Sequence, residues 1–172
     1  NDTAEKGSLF QSFETYRFSP DIVSFKFNVM RKTNARVQAE NLVVTKTYDL
    51  KENKELQLSD LFQDEEDLSS IAKNIYEKML KIQENSSQRT KQVLSAGLRP
   101  TEKNFDAFVL DKKCLDFFLR PGQVNSSRDL YTKVSVPLNE LGEIIKPQLL
   151  VGDLKEEAQN SEVKTPSATP VK

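Results

Sequence analysis

The 172 residues carry 25 Lys and Arg against 26 Asp and Glu, a formal net charge of -1, so nothing in the overall balance draws the chain to nucleic acid or an anionic membrane. With no His, no Trp and a single Cys, Cys114, the chain lacks histidine-based metal, triad and general-base chemistry and any intramolecular disulfide. The length suits one domain of ordinary size with tails, and no apolar run approaches the roughly 20 residues that cross a bilayer.

Residues 1–7, NDTAEKG, offer nothing apolar to bury and are expected to be mobile. From Ile22 the pattern turns to period two, with Val23, Phe25, Phe27 and Val29 on one face and Ser24, Lys26 and Asn28 on the other, as a half-solvated strand requires. RKTNARVQAE, residues 31–40, interrupts the alternation, and Leu42, Val44, Tyr48 and Leu50 resume it, which predicts a hairpin with a long polar tip. Lys51 to Glu55 read as a charged turn. Leu56 and Leu58 then precede Ser59 and Asp60, either of which can accept a hydrogen bond from the open amides of a following helical turn.

Between Asp64 and Gln83 the period becomes helical, with Leu68, Ile71, Ala72, Ile75, Met79 and Ile82 in one stripe. The acids Asp64 to Asp67 read as the start of that helix, because a calcium loop needs ligands at alternating positions and a sharp Gly turn. A shorter helix is expected over Ser87–Ala96, stopped by Gly97 and Pro100. Alternation at Phe105, Ala107 and Val109, a turn at Asp111 to Lys113, and Leu115, Phe117 and Leu119 predict a second hairpin. Tyr131–Val136 reads as a final strand, followed by a short helix carrying Leu138, Leu141, Ile144 and Ile145. Both Asn-Ser-Ser triplets, at 85–87 and 125–127, read as plain polar loops. Beyond Leu150 the chain is polar, with Pro166 and Pro170 among Thr and Ser, the composition of an extended linker.

These elements predict an α+β domain: an antiparallel sheet of about four to five strands packed on one long helix, with a helical insert between two hairpins. Cys114 at a strand start reads as packing, since activating a thiol needs a neighbouring base or cation. No acid is singled out as a raised-pKa partner of a nucleophile. The expectation is therefore a fragment that is not an enzyme, with no catalytic residue, no metal and no cofactor.

Three stretches carry a family resemblance: TYDLKENKELQLSDLF from Thr47 to Phe62, NFDAFVLDKKCLDFFLRPGQV, and YTKVSVPLNELGEII. Residues 18–146 resemble a bacterial extracytoplasmic domain of unknown function found in lysozyme-sensing anti-sigma factors and N-terminal to the catalytic domain of Gram-positive peptidoglycan and polysaccharide deacetylases. The most diagnostic pieces are Asn53 to Phe62 and Val136 to Leu141. Many members carry a Gly-Gly-Ala-His segment in the first hairpin tip, where this chain has Arg31 to Arg36. The resemblance implies the following organisation: 1–17, a flexible segment or the tail of a preceding domain; 18–150, the α+β domain; 151–172, a disordered linker toward a deacetylase domain. It further implies a non-catalytic extracellular module, monomeric, held at the cell surface or wall by an anchor outside these residues. Such a module serves as spacer and docking surface for peptidoglycan or wall polysaccharide. The alternative is a sensor ectodomain whose ligand is a protein such as lysozyme. Arg31, Lys32, Asn34 and Arg36 at the hairpin tip, and Gln123 and Arg128 in a Ser/Asn-rich loop, are the candidate partner-binding residues, through charge-assisted and amide contacts.

Overall fold

Four strands run side by side in chain order as an antiparallel meander: β1 (Gly7–Arg17), β2 (Ile22–Thr33), β3 (Glu40–Asp49) and β4 (Lys54–Leu56). The computed structural model describes residues 7–33, 39–64, 66–82, 87–125 and 130–146. A short α1 (Leu58–Leu61), the long α2 (Asp67–Ile82) and α3 (Gln88–Gly97) follow. A 3-10 turn over Glu102–Asn104 leads into a second antiparallel sheet of β5 (Phe108–Leu110), β6 (Cys114–Leu119) and β7 (Thr132–Pro137). The described chain closes with α4 (Leu138–Leu141) and a 3-10 turn, Gly142–Ile144. The class is α+β with a helical insert between the strand groups, and the strands divide into sheets of four and three.

Local chemistry explains most of these boundaries. At the β3–β4 turn the Asp49 carboxylate accepts from the amides of Lys51 and Glu52, both at 2.9 Å, and Asn53 takes the left-handed φ of 50° that Asn tolerates better than most residues. Asp60 works backward, and not as the forward cap its position suggests: its Oδ2 accepts from the Gln57 amide just before α1 at 2.8 Å, because the helical turn already begins at Leu58. Asp67 likewise accepts from the amides of Gln63 and Asp64 at 3.1 and 2.9 Å, and α2 buries Ile71, Ala72, Ile75 and Met79. Ser87 caps α3 by accepting from the Thr90 amide.

Two elements depart from the sequence reading. No strand is expected before Ile22, yet β1 pairs with β2 over its whole length, from Gly7 opposite Thr33 to Arg17 opposite Val23. The alternation at Phe105, Ala107 and Val109 is not strand periodicity: Phe105 is buried at the end of a 3-10 turn, and β5 begins only at Phe108.

One core joins the helices to the second sheet, built on Leu61, Ile71, Ile75, Leu94, Phe117 and Ile145, none more than 1% exposed. The sheets are stapled by hydroxyls. Ser24 Oγ accepts from the Leu110 amide at 3.0 Å and lies 2.8 Å from Thr47 Oγ1, while Thr45 Oγ1 accepts from the Phe108 amide at 2.9 Å. These side chains satisfy donors of edge strand β5 that no neighbouring strand meets. They also define an inner face of the first sheet, toward β5, and an outer face carrying Phe25 and Phe27.

Candidate functional site

Beyond the hydroxyl staples the sheets diverge, and the far half of β1–β3 overhangs the end of β6 and β7. The space between them is a cleft of about 540 Å³. Phe10 and Met30 from the overhang and Leu130 before β7 are exposed apolar side chains on its wall. Phe118 lies at its base, and Lys26, Asn28, Asn41, Tyr131 and Lys133 bring polar groups to the same space. An open, largely apolar concavity with a few convergent amide, phenol and ammonium groups is the usual geometry of a binding site.

Lys26 organises the floor. Its Nζ sits 4.9 Å from the Phe118 ring centroid and 2.8 Å from Glu14 Oε1, so the ammonium is held by a ring from one sheet and a carboxylate from the other. Glu14 also accepts from Tyr16 Oη at 2.7 Å and Asn28 Nδ2 at 3.1 Å. Hydrogen bonds from Lys26, Tyr16 and Asn28 lower its pKa from 4.5 to about 2. Burial, then the hydrogen bond to Glu14, pushes the Tyr16 phenol well above its ordinary range. Deeper in the second sheet, Lys133 Nζ pairs with Asp116 Oδ2 at 2.7 Å. Asp116 is 4% exposed, and its Oδ1 has no hydrogen-bond partner among the described residues.

The Glu14 cluster carries a pH signature. A carboxyl whose pKa is lower folded than unfolded contributes stability that is present above its unfolded value and lost as pH falls toward the folded one. Glu14→Gln is therefore expected to destabilise at pH 7, with the gap to wild type closing between about pH 4.5 and about pH 2. Because the Glu14 side chain is 49% exposed, solvent screening holds the effect below ~1 kcal/mol. Urea titrations of both proteins at pH 7 and pH 2.5 measure it; an unchanged gap refutes the assignment.

Of the six candidate residues, the structure describes Arg31 and Lys32 on β2 and Gln123 on a different element. Arg31 and Lys32 lie at the exposed end of β2, and the Arg31 guanidinium is already paired with Glu40 at 3.1 Å. Asn34, Arg36 and Arg128 lie outside the described residues. Gln123 is half-buried with its amide engaged inside the fold: it accepts from the Arg120 amide at 2.8 Å and donates to the carbonyls of Gly97 and Asn104 at 2.8 and 2.9 Å. Its geometry is that of a loop staple. The sequence reading passed over Phe10, Met30 and Leu130. For Phe10 and Leu130 the available signal was a large apolar residue within a polar stretch, SLFQS and SRDLY, that no amphipathic element accounts for.

Chemically, the described residues offer recognition groups. Burial first, then the charges of Asp116 and Asp111, raises the pKa of the half-buried Cys114 thiol and keeps it protonated, the opposite of an activated nucleophile. Among the described residues no three His, Cys, Asp or Glu side chains are grouped to hold a metal ion.

No family model matches the sequence, and no curated protein matches it. The fold has solved counterparts. A member of the DUF3298 family from Bacteroides fragilis superposes with a TM-score of 0.64 at 14% identity, covering 87% of this chain and 59% of that one. A DUF3298 family protein from Pseudomonas aeruginosa superposes with a TM-score of 0.62 at 13% identity, covering 83% of this chain and 64% of that one. The chain thus spans about three fifths of the proteins it matches, and at these identities the likeness is one of fold, to a family named as a domain of unknown function.

Proposed function

We propose that this chain is a non-catalytic extracellular binding module that accompanies a cell-wall polysaccharide or peptidoglycan deacetylase, setting its distance from the cell surface and docking it on a wall polymer. The observation that carries the reading is the cleft between the sheets: apolar walls from Phe10, Met30 and Leu130, amides from Asn28 and Asn41, and ammonium groups from Lys26 and Lys133. Hydroxyls and N-acetyl groups of a glycan chain are complementary to that mixture, the amides and ammoniums meeting oxygen acceptors while acetyl methyls lie on the apolar wall. The Lys26 and Lys133 ammoniums are held by Glu14 and Asp116, an arrangement that fixes both charges in place. The deacetylase association rests on the segments from Asn53 to Phe62 and Val136 to Leu141 and on the Pro/Thr/Ser composition after Leu150.

The test is a titration of the chain against purified peptidoglycan and wall polysaccharide, and in parallel against lysozyme. Binding to the glycan is expected, reduced about tenfold by Phe10→Ala with Leu130→Ala, which is ~1.4 kcal/mol. Arg31→Ala with Lys32→Ala is expected to change the salt dependence more than the affinity. Binding to lysozyme alone transfers the reading to a sensor ectodomain. Turnover of acetylated muropeptides by the isolated chain overturns both.

A further inference from the structure

The outer face of the first sheet raises a separate question, because it is apolar where a solvated face should be polar. Leu9 and Phe13 on β1 are 64% and 65% exposed, and Leu42 and Val44 on β3 are 37% and 45% exposed. Between them Phe27 and Phe25 continue a ladder of rings from Phe13 to Tyr48, with centroids 6.2 to 6.4 Å apart. Ser24, Thr45 and Thr47, which hold the second sheet, all lie on the opposite face. Contiguous exposed apolar area of this kind on a sheet marks an interaction surface.

We propose that this outer face is the interface of a two-fold dimer, covered by the same face of a second copy of the chain. Three observations favour that occupant. The patch is chiefly aliphatic and phenyl, with Gln11 between Leu9 and Phe13 and Lys46 between Val44 and Tyr48 on the same face, so a glycan laid across it would lose water from most of its hydroxyls without replacement, whereas another largely apolar sheet face would not. The charges at its margins are matched within each copy, Arg31 with Glu40 at 3.1 Å and Lys46 with Glu55 at 2.5 Å, and the whole chain carries a net charge of only -1, so two copies meet without like-charge repulsion. The area also suffices. At about 200 Å² for each aromatic side chain and somewhat less for each aliphatic one, the exposed fractions leave on the order of 500 Å² per copy, and two such faces reach the ~1,000 Å² that a specific interface requires. Packing two sheets face to face about a two-fold axis is an ordinary sandwich geometry. The proposal departs from the monomer expected from the sequence, and it is independent of the glycan reading, which uses the inner face.

Sedimentation equilibrium of the full chain tests it. The weight-average mass is expected to rise reversibly from 19.6 kDa toward twice that value with concentration, Phe13→Glu or Val44→Lys weakening the dimer at least tenfold. Both positions are exposed, and an unchanged melting transition confirms that the variants fold. Phe10→Glu, on the same strand but facing the cleft, is expected to leave the dimer intact while impairing glycan binding, which separates failure of this proposal from failure of the binding reading. A mass that stays at one copy up to about 1 mM overturns the dimer. Two further results then name the occupant: slow thiol labelling of Val44→Cys indicates cover by the chain's own residues, and loss of glycan or lysozyme binding in Phe13→Glu indicates another partner. A dimer insensitive to both Phe13→Glu and Val44→Lys also overturns it.

Discussion

Phe117→Ala is expected to destabilise the fold by about 4 kcal/mol, the largest loss from any single truncation here. Phe117 is fully buried on the central strand of the second sheet, with Phe108 opposite it on one side and Val134 on the other. Its ring meets Phe105 edge to face, 5.3 Å between centroids and 79° between planes. Truncating a buried Phe to Ala costs about 3–5 kcal/mol, and losing an aromatic pair adds ~0.5–1.5 kcal/mol where neighbours cannot close the gap. Here they are poorly placed to close it: two of them are fixed by strand pairing and Phe105 by the 3-10 turn. Against a typical total of about 5–15 kcal/mol, the variant would sit near the edge of folding. Urea denaturation should show a lower midpoint with an unchanged slope. Phe117→Leu, which keeps most of the volume, should cost less than half as much. An Ala variant within about 1 kcal/mol of wild type would mean that Phe117 is not at the centre of the core.

Gly97→Ala is the second large effect, and its sign is opposite to the usual one. At the end of a helix such as α3, replacing Gly by Ala ordinarily gains up to ~1 kcal/mol. A Cβ at Gly97 would lie 1.8 Å from the Gln123 carbonyl oxygen and 2.7 Å from its carbonyl carbon, far inside any tolerable contact. The Pro121–Gln123 turn cannot step aside cheaply. The Gln123 side chain bonds to Arg120, Gly97 and Asn104, and Val124 beside it is 1% exposed. Overpacking against fixed backbone of this kind costs about 3 kcal/mol, or a fall in melting temperature of roughly 6–12 °C for a chain this size. Because Gln123→Ala removes the bonds that hold the turn, the double variant should cost less than the two single losses together. A Gly97→Ala protein that melts at or above the wild-type temperature would show that α3 and this turn do not approach so closely.

Much of the architecture was legible from residue order, for a definite reason. α2 and β7 each bury one side and wet the other, so their apolar residues repeat with the period of the element. β2 and β3 alternate as clearly, but with Phe25, Phe27, Leu42 and Val44 on the outer face and the polar Ser24 and Thr47 buried against the second sheet. β1 was illegible because Leu9, Phe10 and Phe13 are exposed on both of its faces, which leaves no alternation to read. Phe105, Ala107 and Val109 misled because burial came from a 3-10 turn and from β5, all three of whose residues are buried. Gln123 looked like a surface amide in a polar loop. Only the approach of α3 and the 3-10 turn places acceptors on both sides of it.

Composition and periodicity by themselves determined the α+β class, the order of helices and most strands, and the absence of histidine chemistry, because these depend on which residues are present and on neighbours a few positions apart. The division into two sheets, the hydroxyl staples at Ser24 and Thr45, the cleft shared by residues from Phe10 to Lys133 and the bare outer face were decided only in three dimensions. Each joins groups separated by tens of residues, whose meeting is set by how the helical insert packs the second sheet across the first.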